Sequence, residues 1–107
     1  MKIPLDECVT RKLKSRLSQH EVFTVTERQW NGLKNGNLMR AAIGEGFDVL
    51  LTIDKNLAFQ QNMSQYFNIV AVLNVEKSKI SFLEDILPAF TSLLPTFVKG
   101  NAYLIEK

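Results

Sequence analysis

Hydrophobic and polar positions along this chain follow two periods in turn, one suited to strands and one to helices. Lys2 to Leu5 is a short extended stretch, Lys-Ile-Pro-Leu, in which Pro4 is tolerable near a strand start or at a sheet edge and awkward in a central strand. Val9, Leu13 and Leu17 then recur at helical spacing while Arg11, Lys14 and Ser18 point the other way, which predicts a first helix laid against a sheet. Glu21 to Thr26 alternates, with Val22, Thr24 and Thr26 on one face and Phe23 and Val25 on the other, in residue types that favour strands.

From Glu27 to Gly36 the pattern is polar and glycine-containing. Leu38, Met39, Ala41, Ala42 and Ile43 then predict a short apolar helix stopped at Gly44 to Gly46. Phe47 to Ile53 is almost continuously apolar, as expected of a central strand covered on both faces. Leu57 to Phe67 reads as a more polar helix, Asn68 to Leu73 as another buried strand, and Ile80 to Leu94 as an amphipathic helix that Pro88 should kink. Ala102 to Ile105, after the Lys99-Gly100-Asn101 turn, reads as an edge strand. Strands alternating with helices predict an α/β fold with a mainly parallel sheet and helices on both sides. In such sheets ligands gather beyond the carboxyl ends of the strands, where strand order reverses.

Composition narrows this picture. A chain of 107 residues suits one domain spanning 1–107, with 46% hydrophobic and 22% charged residues. It contains no apolar run of the roughly 18 residues or more that a membrane span needs, and Met1 to Cys8 lacks the features of a secretory signal, so a cytoplasmic protein with no membrane partner is expected. Cys8 is the sole cysteine, which excludes an internal disulfide and cysteine-type zinc spacing. A net charge of +2 is too weak for a dedicated duplex-DNA binder, so any nucleic-acid contact must be local. The cluster Arg11, Lys12, Lys14 and Arg16 reads first as a solvated helix face.

The candidate chemistry follows the strands. Asp6 and Glu7 come directly after the first, and Thr52, Ile53, Asp54 and Lys55 close the third. If those strands are neighbours, Asp6 and Asp54 meet across the crevice, where two close carboxylates require a proton or a cation between them. Mg2+ or Mn2+ suits such an all-oxygen site. The competing reading makes both aspartates caps of the helices that follow them.

Leu5-Asp6-Glu7-Cys8-Val9, Trp30-Asn31-Gly32-Leu33-Lys34-Asn35-Gly36, Leu51-Thr52-Ile53-Asp54-Lys55-Asn56 and Gln60-Gln61-Asn62 occur in an order that resembles small PIN-like nucleases, along essentially the whole chain. The resemblance implies a three-layer α/β/α PIN-like fold that binds Mg2+ or Mn2+ and hydrolyses RNA. It also implies the role of toxin in a bacterial toxin–antitoxin pair, with a small antitoxin protein as partner and a homodimer as a further expectation. Asp6 and Asp54 would be direct metal ligands. Glu7 would be either a further ligand or a first-turn helix residue. The departure is Asn37, an amide where PIN-like domains carry an acid; it would offer one neutral oxygen to the metal or serve as N-cap of the helix starting at Leu38, with Glu45 or Glu27 as compensating acids.

Arg11, Lys34 and Lys55 could hold phosphates near the crevice or be solvated surface. Gln60, Gln61 and Asn62 could bond a nucleobase or ribose, or cap and line a helix. Trp30 reads as a packing residue rather than a base-stacking platform, His20 as part of a surface turn, and Cys8 as a small packing residue. The functions in competition are a metal-dependent ribonuclease, a degenerate PIN-like domain that binds RNA or protein without turnover, and a phosphate-accepting receiver, for which the other sequence words are missing.

Overall fold

The computed structural model describes residues 1–30, 32–33, 35–55 and 69–106. Strand β1 (Lys2–Leu5) leads through a 3-10 helix (Arg11–Leu17) to β2 (Glu21–Thr24), then to helix α1 (Asn35–Gly44) and β3 (Val49–Thr52). Strand β4 (Ile69–Leu73), helix α2 (Ile80–Leu93), a 3-10 turn (Leu94–Thr96) and β5 (Ala102–Ile105) complete the described elements. All the strand pairs are parallel, in the order β2-β1-β3-β4-β5. This is an α/β fold, and β3 holds the central place expected from its apolar run. The expected helix Leu57 to Phe67 lies outside the described residues.

Strand β3 shows why its sequence lacks alternation. Val49 and Leu51 join a cluster with Leu13 and Leu17 of the 3-10 helix and with Leu83, Ile86 and Phe90 of α2. Leu50 faces the opposite way, into a second cluster with Val70, Val72 and the α1 residues Leu38 and Met39. Both faces are therefore covered, and Val49, Leu50 and Leu51 are each 0% exposed. Complete burial of such side chains contributes about 1.5–3 kcal/mol apiece, so none of the three positions tolerates a polar residue.

Local differences from the sequence reading have identifiable causes. The first helix is 3-10 rather than α: Ser15 Oγ donates to the Lys12 carbonyl at 3.0 Å, competing for an acceptor that α-helical winding would use. Leu13 and Leu17 are buried all the same. Pro88 sits inside α2 on its exposed side, and the helix runs on to Leu93. Pro4 lies in a strand flanked on both sides, contrary to the preference for an edge. Its cost shows on the β3 side, where Leu5↔Leu51 is the single registered pair. Backbone bonds flank the proline there: the Asp48 N–H donates to the Lys2 carbonyl at 3.0 Å and the Asp6 N–H to the Leu51 carbonyl at 2.9 Å.

The segment after β2 is a single helical turn capped at both ends. Thr24 Oγ1 accepts from the Glu27 N–H at 3.1 Å and Glu27 Oε1 accepts from the Thr24 N–H at 3.2 Å, a reciprocal capping box. At its other end the Trp30 N–H reaches the Val25 carbonyl (2.8 Å) and the Gln29 N–H the Thr26 carbonyl (3.1 Å), a Schellman closure. Helix α1 closes in the same way, through Phe47 N–H to the Ala42 carbonyl and Gly46 N–H to the Ile43 carbonyl. The left-handed position is Gly46 (φ 76°) in one motif and Gln29 (φ 60°) in the other. Arg28 clamps the two closures together: its guanidinium lies 5.6 Å from the Phe23 and Trp30 ring centres and 5.4 Å from that of Phe47, and it pairs with Glu45 at 2.7 Å.

A left-handed residue with a Cβ is strained and glycine is not. Gln29→Gly is therefore expected to raise unfolding free energy by about 0.5–1 kcal/mol, and Gly46→Ala to lower it by about 1 kcal/mol. Urea unfolding of the two variants checks the opposite signs.

Candidate functional site

The strand order reverses at β1 and β3, since the chain passes from β1 to β2 on one side and later returns to lay β3 on the other. The crevice at their carboxyl ends is the place where an open parallel sheet offers a ligand site. Asp6 and Asp54 leave adjoining strands there, as the sequence reading required.

The two are joined by a residue that the sequence reading did not single out. Thr52 ends β3 and is 0% exposed. Its Oγ1 donates to Asp6 Oδ2 at 2.8 Å and accepts the Asp54 N–H at 3.0 Å. One buried hydroxyl thus fixes both the carboxylate of Asp6 and the backbone of Asp54. The other Asp6 oxygen accepts the Glu7 N–H at 2.8 Å. The clue was available as the one hydroxyl in the run Val-Leu-Leu-Thr, but only the pairing of β1 with β3 gives it a partner.

Several readings need correction. Asp6 does not cap the first helix: Thr10 does, with Oγ1 accepting the Lys12 N–H at 3.4 Å. Glu7 is not a first-turn helix residue; it lies in the turn after β1 and its Oε1 accepts the Gly32 N–H at 2.6 Å, tying the loop before α1 to the end of β1. Asn37 is not an N-cap, because α1 already starts at Asn35. Its Oδ1 accepts from Arg40 Nη2 at 2.6 Å, one turn further along the same helix. Of the acids considered as substitutes, Glu27 is paired with Lys14 and Glu45 with Arg28, so both serve the loop that follows β2 and the end of α1.

Cys8 is likewise no core residue. It is exposed, and its Sγ lies 3.5 Å from Asp6 Oδ2 and 3.4 Å from Thr52 Oγ1. Enclosure of the sulfur itself is the main cause that pushes the thiol pKa up; hydrogen bonds from Thr52 and the Ile53 backbone pull the other way, and the Asp6 charge adds to the rise. Cys8 therefore stays a thiol at neutral pH, pointed at the carboxylate rather than acting as a nucleophile.

Arg11 opens the 3-10 helix and lines a groove that also includes Asp6 and Glu7. Lys55 is exposed next to Asp54. Lys34, Gln60, Gln61 and Asn62 lie outside the described residues. Trp30 packs edge-on against Phe47 with ring centres 5.5 Å apart, in keeping with a packing role. His20 sits in the turn before β2, its Nδ1 3.4 Å from the terminal amine; partial burial, then that positive charge, lowers its pKa.

As a metal centre the site has an all-oxygen donor set, Asp6 with Asp54, suited to a hard cation that keeps most of its waters. Among the described residues no three His, Cys, Asp or Glu side chains are grouped so as to hold a metal ion. Asn37, turned to Arg40, brings no charge to offset its dehydration. Asp6 and Asp54 are therefore the residues that a hard cation would have here, short of the group of three that holds a metal firmly. No family model matches the sequence, and neither the curated proteins nor the solved structures compared with it provide a match.

Two measurements test this geometry. Thr52→Val keeps the volume but leaves Asp6 and the Asp54 N–H without the hydroxyl, and should lower unfolding free energy by about 2 kcal/mol; Thr52→Ser should cost about 1 kcal/mol or less. In metal-free buffer, the pH midpoint for alkylation of Cys8 should lie above that of free cysteine, and Asp6→Asn should bring it down by removing a charge that opposes the thiolate. A midpoint unmoved by Asp6→Asn would contradict the contact.

Proposed function

We propose that the chain is a PIN-like domain with a three-layer α/β/α arrangement that hydrolyses phosphodiester bonds in RNA with Mg2+ or Mn2+. The observation that carries this reading is the Thr52 hydroxyl bonded to the Asp6 carboxylate and to the Asp54 backbone, at the strand-order reversal of a parallel sheet. The quoted sequence words add the family and the substrate class.

In this reading Asp6 and Asp54 hold the cation, which supplies polarisation of the phosphate and a hydroxide-generating water at neutral pH. Thr52 keeps one Asp6 oxygen oriented, and Glu7 holds the loop after β2 beside the crevice through Gly32. Lys55 and Arg11 supply charge-assisted contacts to phosphate oxygens, and Gln60, Gln61 and Asn62 contact a nucleobase or ribose. The setting is a bacterial cytoplasm, with the chain as toxin, a small antitoxin covering the crevice and a homodimer as the assembled form. None of the described helices is long and apolar enough to cross a membrane.

A second reading is favoured by the Asn37–Arg40 contact, since the residue expected from the resemblance to stand in for a third acid is an amide engaged by a cation of its own helix. It makes the chain a domain that binds RNA or a protein without cutting.

Purified protein incubated with single-stranded RNA and Mn2+ separates the two. The ribonuclease reading expects cleavage that EDTA abolishes and that Asp54→Asn lowers by roughly a hundredfold or more, since it removes one of two charged ligands. Equal residual cleavage by both proteins points to contamination or to no enzyme, and either that or no cleavage by either protein overturns the ribonuclease reading.

A further inference from the structure

Between the 3-10 helix, the end of β1 and the capped turn after β2 runs a groove of about 1330 Å³. Small-molecule pockets occupy roughly 300–1,000 Å³, so this one exceeds the size that a single compact ligand fills. Its charged residues come from three places: Asp6 and Glu7 from the β1 end, Arg11, Lys12 and Lys14 from the 3-10 helix that forms one wall, and Glu27 from the capped turn after β2. Hydroxyls of Thr10, Ser15, Ser18, Thr24 and Thr26 line it too, and the ring among the described lining residues is the His20 imidazole, which lies beside the terminal amine in the turn before β2.

The three cations are not equivalent. Lys14 reaches across to the capped turn, where its Nζ contacts both Glu27 oxygens at 2.9 and 2.8 Å. That bond is the leading cause that lowers the Glu27 pKa, so the pair is charged at neutral pH. Arg11 and Lys12 lie on the same wall, and no ion pair with either is found among the described residues. Both side chains are exposed.

We infer that this groove is the track of one single-stranded RNA chain, held by its phosphates on Arg11 and Lys12 and led toward the Asp6 end, with the Lys14–Glu27 pair as a strap across it. The identity of the chain as RNA rests on the ribonuclease reading; the binding does not require turnover. Basic side chains and hydroxyls, with no Phe, Tyr or Trp among the described lining residues, recognise the sugar–phosphate backbone rather than the bases. Binding is therefore salt-sensitive and largely indifferent to sequence. The strap sets the strength: while Glu27 neutralises Lys14, two cations act on phosphate, and removal of the Glu27 charge makes a third available.

The test is fluorescence anisotropy of a labelled oligouridylate in EDTA, where no cleavage occurs, across a salt series. Arg11→Ala/Lys12→Ala is expected to weaken binding about tenfold at low salt and to flatten the log–log salt slope by roughly 1.4, at about 0.7 per phosphate contact on a single strand. Glu27→Gln keeps the acceptor that caps Thr24 but loses the charge; it should tighten binding on the order of threefold and steepen the slope by roughly 0.7. Binding by the double variant equal to that of the unaltered protein, or weakened binding by Glu27→Gln, overturns the proposal. RNA cleavage measured alongside with Mn2+ reads the other hypothesis separately: cleavage without these binding changes rejects the track alone, and the binding changes without cleavage reject the nuclease alone.

Discussion

The seam between β1 and β3 is the constraint on which the site depends, and it is held by one buried hydroxyl where the backbone ladder is thin. Pro4 brings no N–H to that seam, and a single register pair joins the two strands. At its carboxyl end the Asp6 N–H reaches the Leu51 carbonyl, and Thr52 Oγ1 bonds the Asp6 side chain while accepting the Asp54 N–H. A buried hydroxyl is costly unless its hydrogen bonds are made. Satisfying Thr52 therefore forces the two aspartate-bearing strand ends into one arrangement.

Around this seam, each neighbouring group is held by a different loop. Glu7 secures the approach to α1 through Gly32, Cys8 leans on the Asp6 carboxylate and Thr52, and Asn37 is turned back along its own helix by Arg40. The result is a crevice with aspartates at two neighbouring strand ends, while the Arg40 cation is engaged within α1.

The capped turn after β2 links this chemistry to the rest of the surface. Its capping box uses Glu27, and the same carboxylate takes Lys14 from the 3-10 helix, so a local folding signal also spans the groove. Arg28 joins that turn to the end of α1 through three rings and Glu45. The groove walls are consequently tied by the Lys14–Glu27 pair, one of them anchored in turn to α1 by Arg28, and the cations left over for a ligand are those of the first helical turn.

Apolar runs, alternation and helical spacing together were enough to place the five strands and the helices α1 and α2, because such patterns are properties of neighbouring residues and the solvent. They were also enough to put Asp6 and Asp54 after strands, since burial of Ile3, Leu5 and Val49 to Leu51 leaves the first charged residues beyond them at the sheet's end. What they could not supply was any partner distant in the chain. Thr52 looked like an interruption in an apolar strand until β3 lay beside β1, and Cys8 looked like packing until its sulfur met Asp6. Glu7 looked like a helix residue until Gly32 came within reach. Asn37 looked like a cap because its neighbours fix where a helix can begin only to within a turn. In each case the deciding energy is a hydrogen bond between groups on different elements or successive turns, and such a bond exists only after the chain has folded.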